Sequence, residues 1–196
     1  MIDKFLQGRF FILYLYPFII GCLSTLSFEP FNLIFVNFII LPIFFYLIIY
    51  INKRSKSTYR KKPYKKNLFL VGLLFGFGFY LSGISWITYS LTFDEKFKIL
   101  IPFALFLIPL FLSLFTALTT LLVGPYLKLN FISLFIFSGS LSFVDYLRAK
   151  LFTGFPWNLW AYSWSWFTEI LQILNPIGLF AFNLLTISLF CFPIIF

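Results

Sequence analysis

The chain has 196 residues, 61% of them hydrophobic and only 11% charged, with a mean hydropathy of +0.98. Soluble domains carry about 25% charged residues, so the composition excludes a water-soluble globule and predicts an all-α, polytopic membrane helix bundle. The net charge of +9 does not predict a nucleic-acid partner, because eight of the fifteen Lys and Arg are confined to Lys53–Lys66.

There is no histidine, and Cys22 and Cys191 both lie in apolar runs. Neither a metal, a cofactor nor a disulfide framework is expected. Residues 1–9 are a short polar start with Lys4 and Arg9. Residues 10–28 are the first expected span, about the length a bilayer needs. The opening resembles a secretory signal, and Ile19-Ile20-Gly21-Cys22 a lipoprotein processing box. The apolar run continues past Cys22, however, which favours a retained span. Glu29-Pro30-Phe31-Asn32 is a turn, and Pro30 stops the preceding helix. Residues 33–51 form the second span, so the first two make a hairpin.

The basic stretch 52–67 follows. It reads as a surface for anionic lipid or nucleic acid or, preferably, as a topology signal, since cytoplasmic loops carry excess Lys and Arg. Residues 68–91 are the third span, with Gly72, Gly76 and Gly83 on one face, a pattern that lets helices approach closely in lipid. Its end is polar and aromatic, from Ser82 through Trp86 to Ser90. A charged loop, 92–98, leads to the fourth span, 99–123, which contains Pro102 and Pro109. The fifth span, 131–147, carries Asp145, and Arg148 lies three residues on. The two share a helical face and are expected to form a structural ion pair, although an isolated carboxylate at a membrane boundary is also a functional-site candidate.

Residues 151–168 then hold four of the five tryptophans: Trp157, Trp160, Trp164 and Trp166. Gly154 and Pro156 break the backbone. The stretch reads as an interfacial loop on or in the membrane, or as an aromatic belt anchoring its neighbours. Residues 169–196 are the sixth expected span. The chain stops at Phe196 without a polar tail, which suggests a fragment. With the N-terminus in the cytoplasm, eleven Lys and Arg fall inside and four outside, the distribution the positive-inside rule favours. The Trp-rich loop, Glu29, Trp86 and the Asp94-Glu95 loop then converge on the outer face.

Asp145-Tyr146-Leu147-Arg148, followed by Thr153-Gly154-Phe155-Pro156-Trp157, resembles the most recognisable stretch of the bacterial apolipoprotein N-acyltransferases. There it commonly runs Glu-(aromatic)-Leu-Arg-Gly and then Thr-Gly-Phe-Pro-Trp. Phe28-Glu29-Pro30-Phe31 resembles the family's Phe-x-Pro-Phe turn. Gly83-Ile84-Ser85-Trp86-Ile87-Thr88-Tyr89-Ser90 resembles its Gly-x-x-Trp-(aliphatic)-x-x-Ser block. Pro176-Ile177-Gly178 and Asn183-Leu184-Leu185 fit the helix after the Trp-rich loop. Asp145 stands in place of the usual Glu and Ala149 in place of the usual Gly.

The resemblance implies a multi-pass protein of the bacterial inner membrane. The family moves an acyl chain from a phospholipid donor to the N-terminal cysteine of a diacylglyceryl lipoprotein acceptor. A cysteine thiolate carries the acyl group, assisted by a glutamate and a lysine in a nitrilase-like domain. That domain is not among these residues, so no catalytic residue carries over and the chain alone is not expected to be catalytic. What carries over is a lipid and substrate entrance at Glu29, Trp86, Gly154, Phe155, Pro156 and Trp157. The alternatives are a non-enzymatic membrane scaffold or a small transporter. A transporter needs polar groups along several helices, of which only Asn183 and the Ser and Thr residues qualify.

Overall fold

In the computed structural model, the residues described are 10–55, 63–151 and 156–195. They form an all-helical bundle, with no strand among them. A π-helical turn, Phe11–Leu15, leads into α1, Tyr16–Ser24. After the turn at Glu29 and a 3₁₀ turn comes α2, Asn37–Ser55. Helix α3 spans Pro63–Ile84 and is prolonged by a 3₁₀ helix, Ser85–Thr92. Helix α4 spans Ile101–Val123 and α5 spans Phe131–Leu151. Pro102 occupies the first turn of α4, where its missing N–H costs nothing.

With their 3₁₀ extensions, four helices are long and apolar enough to cross a membrane: Ile34–Ser55, Tyr64–Thr92, Glu95–Tyr126 and Phe131–Leu151. Phe11–Ser27 and Leu179–Ile195 are shorter apolar helices. The α4 span is the most peripheral, with only 22% of its apolar window buried. Phe103, Phe106, Leu107, Leu118 and Leu122 all face outward from it, which suits hydrocarbon rather than water.

The end of the chain differs from one continuous span over residues 169–196. Two single turns, α6 (Thr168–Leu171) and α7 (Leu174–Ile177), precede α8, Leu179–Cys191. Pro176 removes a backbone donor and Gly178 adopts φ +78°, so the helix restarts after the glycine. Helix α8 then continues as a 3₁₀ turn, Phe192–Ile195.

Close backbone contact organises the centre. A methyl group on Gly72 would overlap Thr120 Oγ1 of α4, and one on Gly21 would overlap the Phe75 carbonyl of α3. Helix α3 is therefore clasped between α1 and α4. Thr120 Oγ1 also donates to the Leu68 carbonyl at 2.8 Å, tying α4 to α3. Gly83, on the same face in the sequence reading, lies against Asn158 of the Trp-rich segment instead. Phe44 and Phe75 stack at 3.7 Å in the core, and Phe79 carries that stack to Trp160 at 4.5 Å.

Candidate functional site

The Trp-rich segment is not simply laid on the bundle. After α5 it turns at Trp157-Asn158 and forms a 3₁₀ helix, Trp160–Trp164. Trp160 is 5% exposed and packs into the main core, whereas Trp166 is 65% exposed. Trp157 and Trp164 are half-buried against the same core. One segment thus combines an internal plug with an external rim. A uniform aromatic belt does not describe it, because stacking on Phe79 takes Trp160 inside.

A buried polar cluster holds that plug. Arg148 Nη2 donates to Asp145 Oδ1 at 2.9 Å and to the Trp157 carbonyl at 2.6 Å. Asn183 of α8 donates from Nδ2 to Asp145 Oδ2 at 3.0 Å and accepts from the Ala161 N–H at 3.1 Å. The Arg148 guanidinium lies over the Tyr80 ring of α3, with Cζ 5.1 Å from its centroid. That contact gives its Nε and Nη1, which have no hydrogen-bond partner among the described residues, an aromatic face to rest on. Asp145 and Arg148 are both buried. In such a place a charge must be paired and hydrogen-bonded. Asp145 and Arg148 therefore join α3, α5, α8 and the Trp-rich segment.

Above the plug lies a cleft of about 610 Å³. Glu29 and Phe28 line it from the first turn, Ser82 and Trp86 from the end of α3, and Asn158 and Tyr162 from the Trp-rich segment. Ser165 Oγ donates to Glu29 Oε1 at 3.2 Å across it. Trp86 is 62% exposed at the mouth. Burial pushes the Tyr162 phenol above its usual pKa while the nearby Arg148 charge opposes the shift, so Tyr162 presents a neutral O–H at neutral pH. The cleft thus has one carboxylate, several hydroxyls and amides, and an aromatic mouth. It can take an amphipathic molecule with a polar or cationic head.

The structure places Glu29 and Trp86 in one cleft although 57 positions separate them in sequence. Pro156 is half-buried and Trp157 supplies the carbonyl for Arg148; neither lines the cleft. Gly154 and Phe155 lie outside the described residues. Asn158, Tyr162 and Ser165 complete the site and were not singled out by sequence reasoning. Only the folding-in of the 3₁₀ helix reveals them, since in sequence they are ordinary polar residues between aromatics. Tyr80 was equally hidden within an apolar span.

The model of the apolipoprotein N-acyltransferase N-terminal domain matches residues 20–192. The apolipoprotein N-acyltransferase of Rhodopseudomonas palustris is 34% identical over 174 residues, covering 88% of this chain and 31% of its own length. That of Bradyrhizobium diazoefficiens is likewise 34% identical over 174 residues, with 88% and 31% covered. That of Brucella melitensis is 30% identical over 179 residues, covering 90% of this chain and 33% of its own length. The chain spans about a third of the length of the curated relatives it matches.

Proposed function

Because the chain belongs to the apolipoprotein N-acyltransferase N-terminal domain family, we propose that it is the membrane part of an enzyme that acylates lipoproteins. The full reaction moves an acyl chain from phospholipid to the N-terminal amine of a diacylglyceryl cysteine. These 196 residues anchor that machinery in the bacterial inner membrane, with the N-terminus in the cytoplasm, and admit both lipids from the outer leaflet. Gly154 and Phe155 belong to the same entrance in this reading, with Pro156 and Trp157 below its rim.

The cleft between Glu29, Trp86 and Asn158 is the observation that carries the reading. It offers polar groups to a head and the exposed Trp86 at its mouth. The residues here do not themselves form the acyl-enzyme. Cys191 is fully buried, and Cys22 is packed beside Gly78 of α3. Neither thiol lines the cleft.

A photoreactive diacylglyceryl peptide tests the entrance. With the chain in vesicles, it is expected to label the Trp86 and Tyr162 side of the bundle. Ser82→Trp, which fills the cleft, is expected to abolish that labelling; labelling that survives sinks the assignment. The same vesicles are expected not to N-acylate the peptide, and product formation would overturn the division of labour.

A further inference from the structure

A second concavity lies at the opposite end of the bundle. It has a volume of about 340 Å³ and is lined by Phe11 and Tyr16 near the start of the chain, Ile43, Tyr46 and Tyr50 of α2, and Ile194. Small-molecule sites start at about 300 Å³. Its walls are largely apolar, with the phenols of Tyr16, Tyr46 and Tyr50 among the lining residues. There Tyr46 and Tyr50 stack at 6.4 Å, Arg54 Nη1 donates to the Tyr50 hydroxyl, and the Arg54 Cζ lies 5.7 Å from the Tyr50 ring centroid. Lys53 and Arg54 are both exposed.

Arg54 has no carboxylate partner among the described residues. Among the described residues the ion pairs are Lys98 with Glu95 and Arg148 with Asp145. The described acids are Glu29, Asp94, Glu95, Asp145 and Glu169, and none of them lines this groove. Lys65 and Lys66, at the start of α3, are exposed as well. An apolar slot lined by tyrosines, with a guanidinium beside Tyr50 that has no carboxylate partner among the described residues, is complementary to an amphipath with an anionic head. Basic residues beside a membrane attract acidic lipids, and tyrosine settles at the headgroup level.

We infer that this groove binds an acidic phospholipid of the leaflet at the basic end, with one acyl chain along Ile43 and Tyr46 and the phosphate at Arg54. The site is independent of the cleft, and its test does not involve acyl transfer. The full chain carrying Tyr46→Trp, which adds an indole inside the groove, is reconstituted in phosphatidylcholine vesicles. Brominated phosphatidylglycerol or brominated phosphatidylcholine is then added. The five native tryptophans contribute a background, so the added indole is read as the difference from the unsubstituted chain.

The brominated acidic lipid is expected to quench the added indole at a concentration at least fivefold lower than the zwitterionic one, about the factor each basic residue near the surface contributes. Adding Lys53→Gln and Arg54→Gln is expected to abolish the preference. Lys65→Gln with Lys66→Gln, which removes the same charge away from the groove lining, is expected to retain it, as is Arg54→Lys. Equal quenching by both lipids in the parent reporter would make the groove an unselective hydrocarbon surface and overturn the inference. Equal loss in the two double variants would overturn it in favour of diffuse attraction to the basic stretch. Helicity by circular dichroism, unchanged in all variants, confirms that each reading comes from a folded chain.

Discussion

Removing Asp145 should cost far more than its hydrogen bonds would. Its carboxylate accepts from Arg148 at 2.9 Å and Asn183 at 3.0 Å. Hydrogen bonds between side chains in membranes average about 0.6 kcal/mol and reach about 1.7, so two ordinary bonds would account for roughly 1–3 kcal/mol. Asp145→Ala additionally leaves the buried Arg148 guanidinium without a counter-charge, and breaking a buried pair from one side costs about 3–5 kcal/mol. Arg148→Ala should cost a similar amount and also releases the Trp157 carbonyl. The double replacement Asp145→Leu with Arg148→Met removes both charges and keeps volume, so it should cost less than either single change. Unfolding in mixed micelles, followed by circular dichroism and tryptophan emission, measures all three. Single variants costing under about 1 kcal/mol, or a double variant equal to the sum of the two, would refute the claim that paired charge holds the plug.

Trp160→Ala should empty the space beside Phe79 and destabilise the bundle by about 3–5 kcal/mol, seen in the same unfolding assay. Gly72→Leu should force α3 from α4 and cost about 1–3 kcal/mol, with reduced amide protection along that pair of helices. Asn183→Leu should leave the Ala161 N–H without its acceptor, at a cost of about 1–3 kcal/mol, and speed hydrogen exchange at Ala161 while the α3–α4 amides stay protected. Glu29→Gln, on the exposed wall of the cleft, should change stability by no more than about 0.5 kcal/mol while weakening labelling by the photoreactive peptide.

Hydropathy makes the helical class legible because hydrocarbon demands internally paired backbone, and helices meet that demand locally. That α3 packs closely against a neighbour was equally near the surface of the sequence, since Gly72 and Gly76 lie one turn apart; that the neighbour is α4 was not. The spacing of Asp145 and Arg148 puts them on one face without further information. The fate of Trp160 could not be read that way. A belt and a core both select aromatic residues, and only the approach of Phe79 decides between them. The break before α8 was visible as Pro176 and Gly178, but a hydropathy window averages over single residues and runs straight through it. Asn158 had no signal at all, because its place in the cleft depends on where the following turn docks.

The bond between Asn183 and Ala161 spans 22 positions and has a consequence for synthesis. When residues 157–164 first leave the ribosome, their hydrogen-bond partner on α8 has not yet been made. While α1 to α5 are being inserted, the Trp-rich segment has its Arg148 and Phe79 contacts within reach but not the Asn183 acceptor, which arrives only with α8. Helix α8 thus adds its ties to Ala161 and Asp145 after the segments it joins have been made.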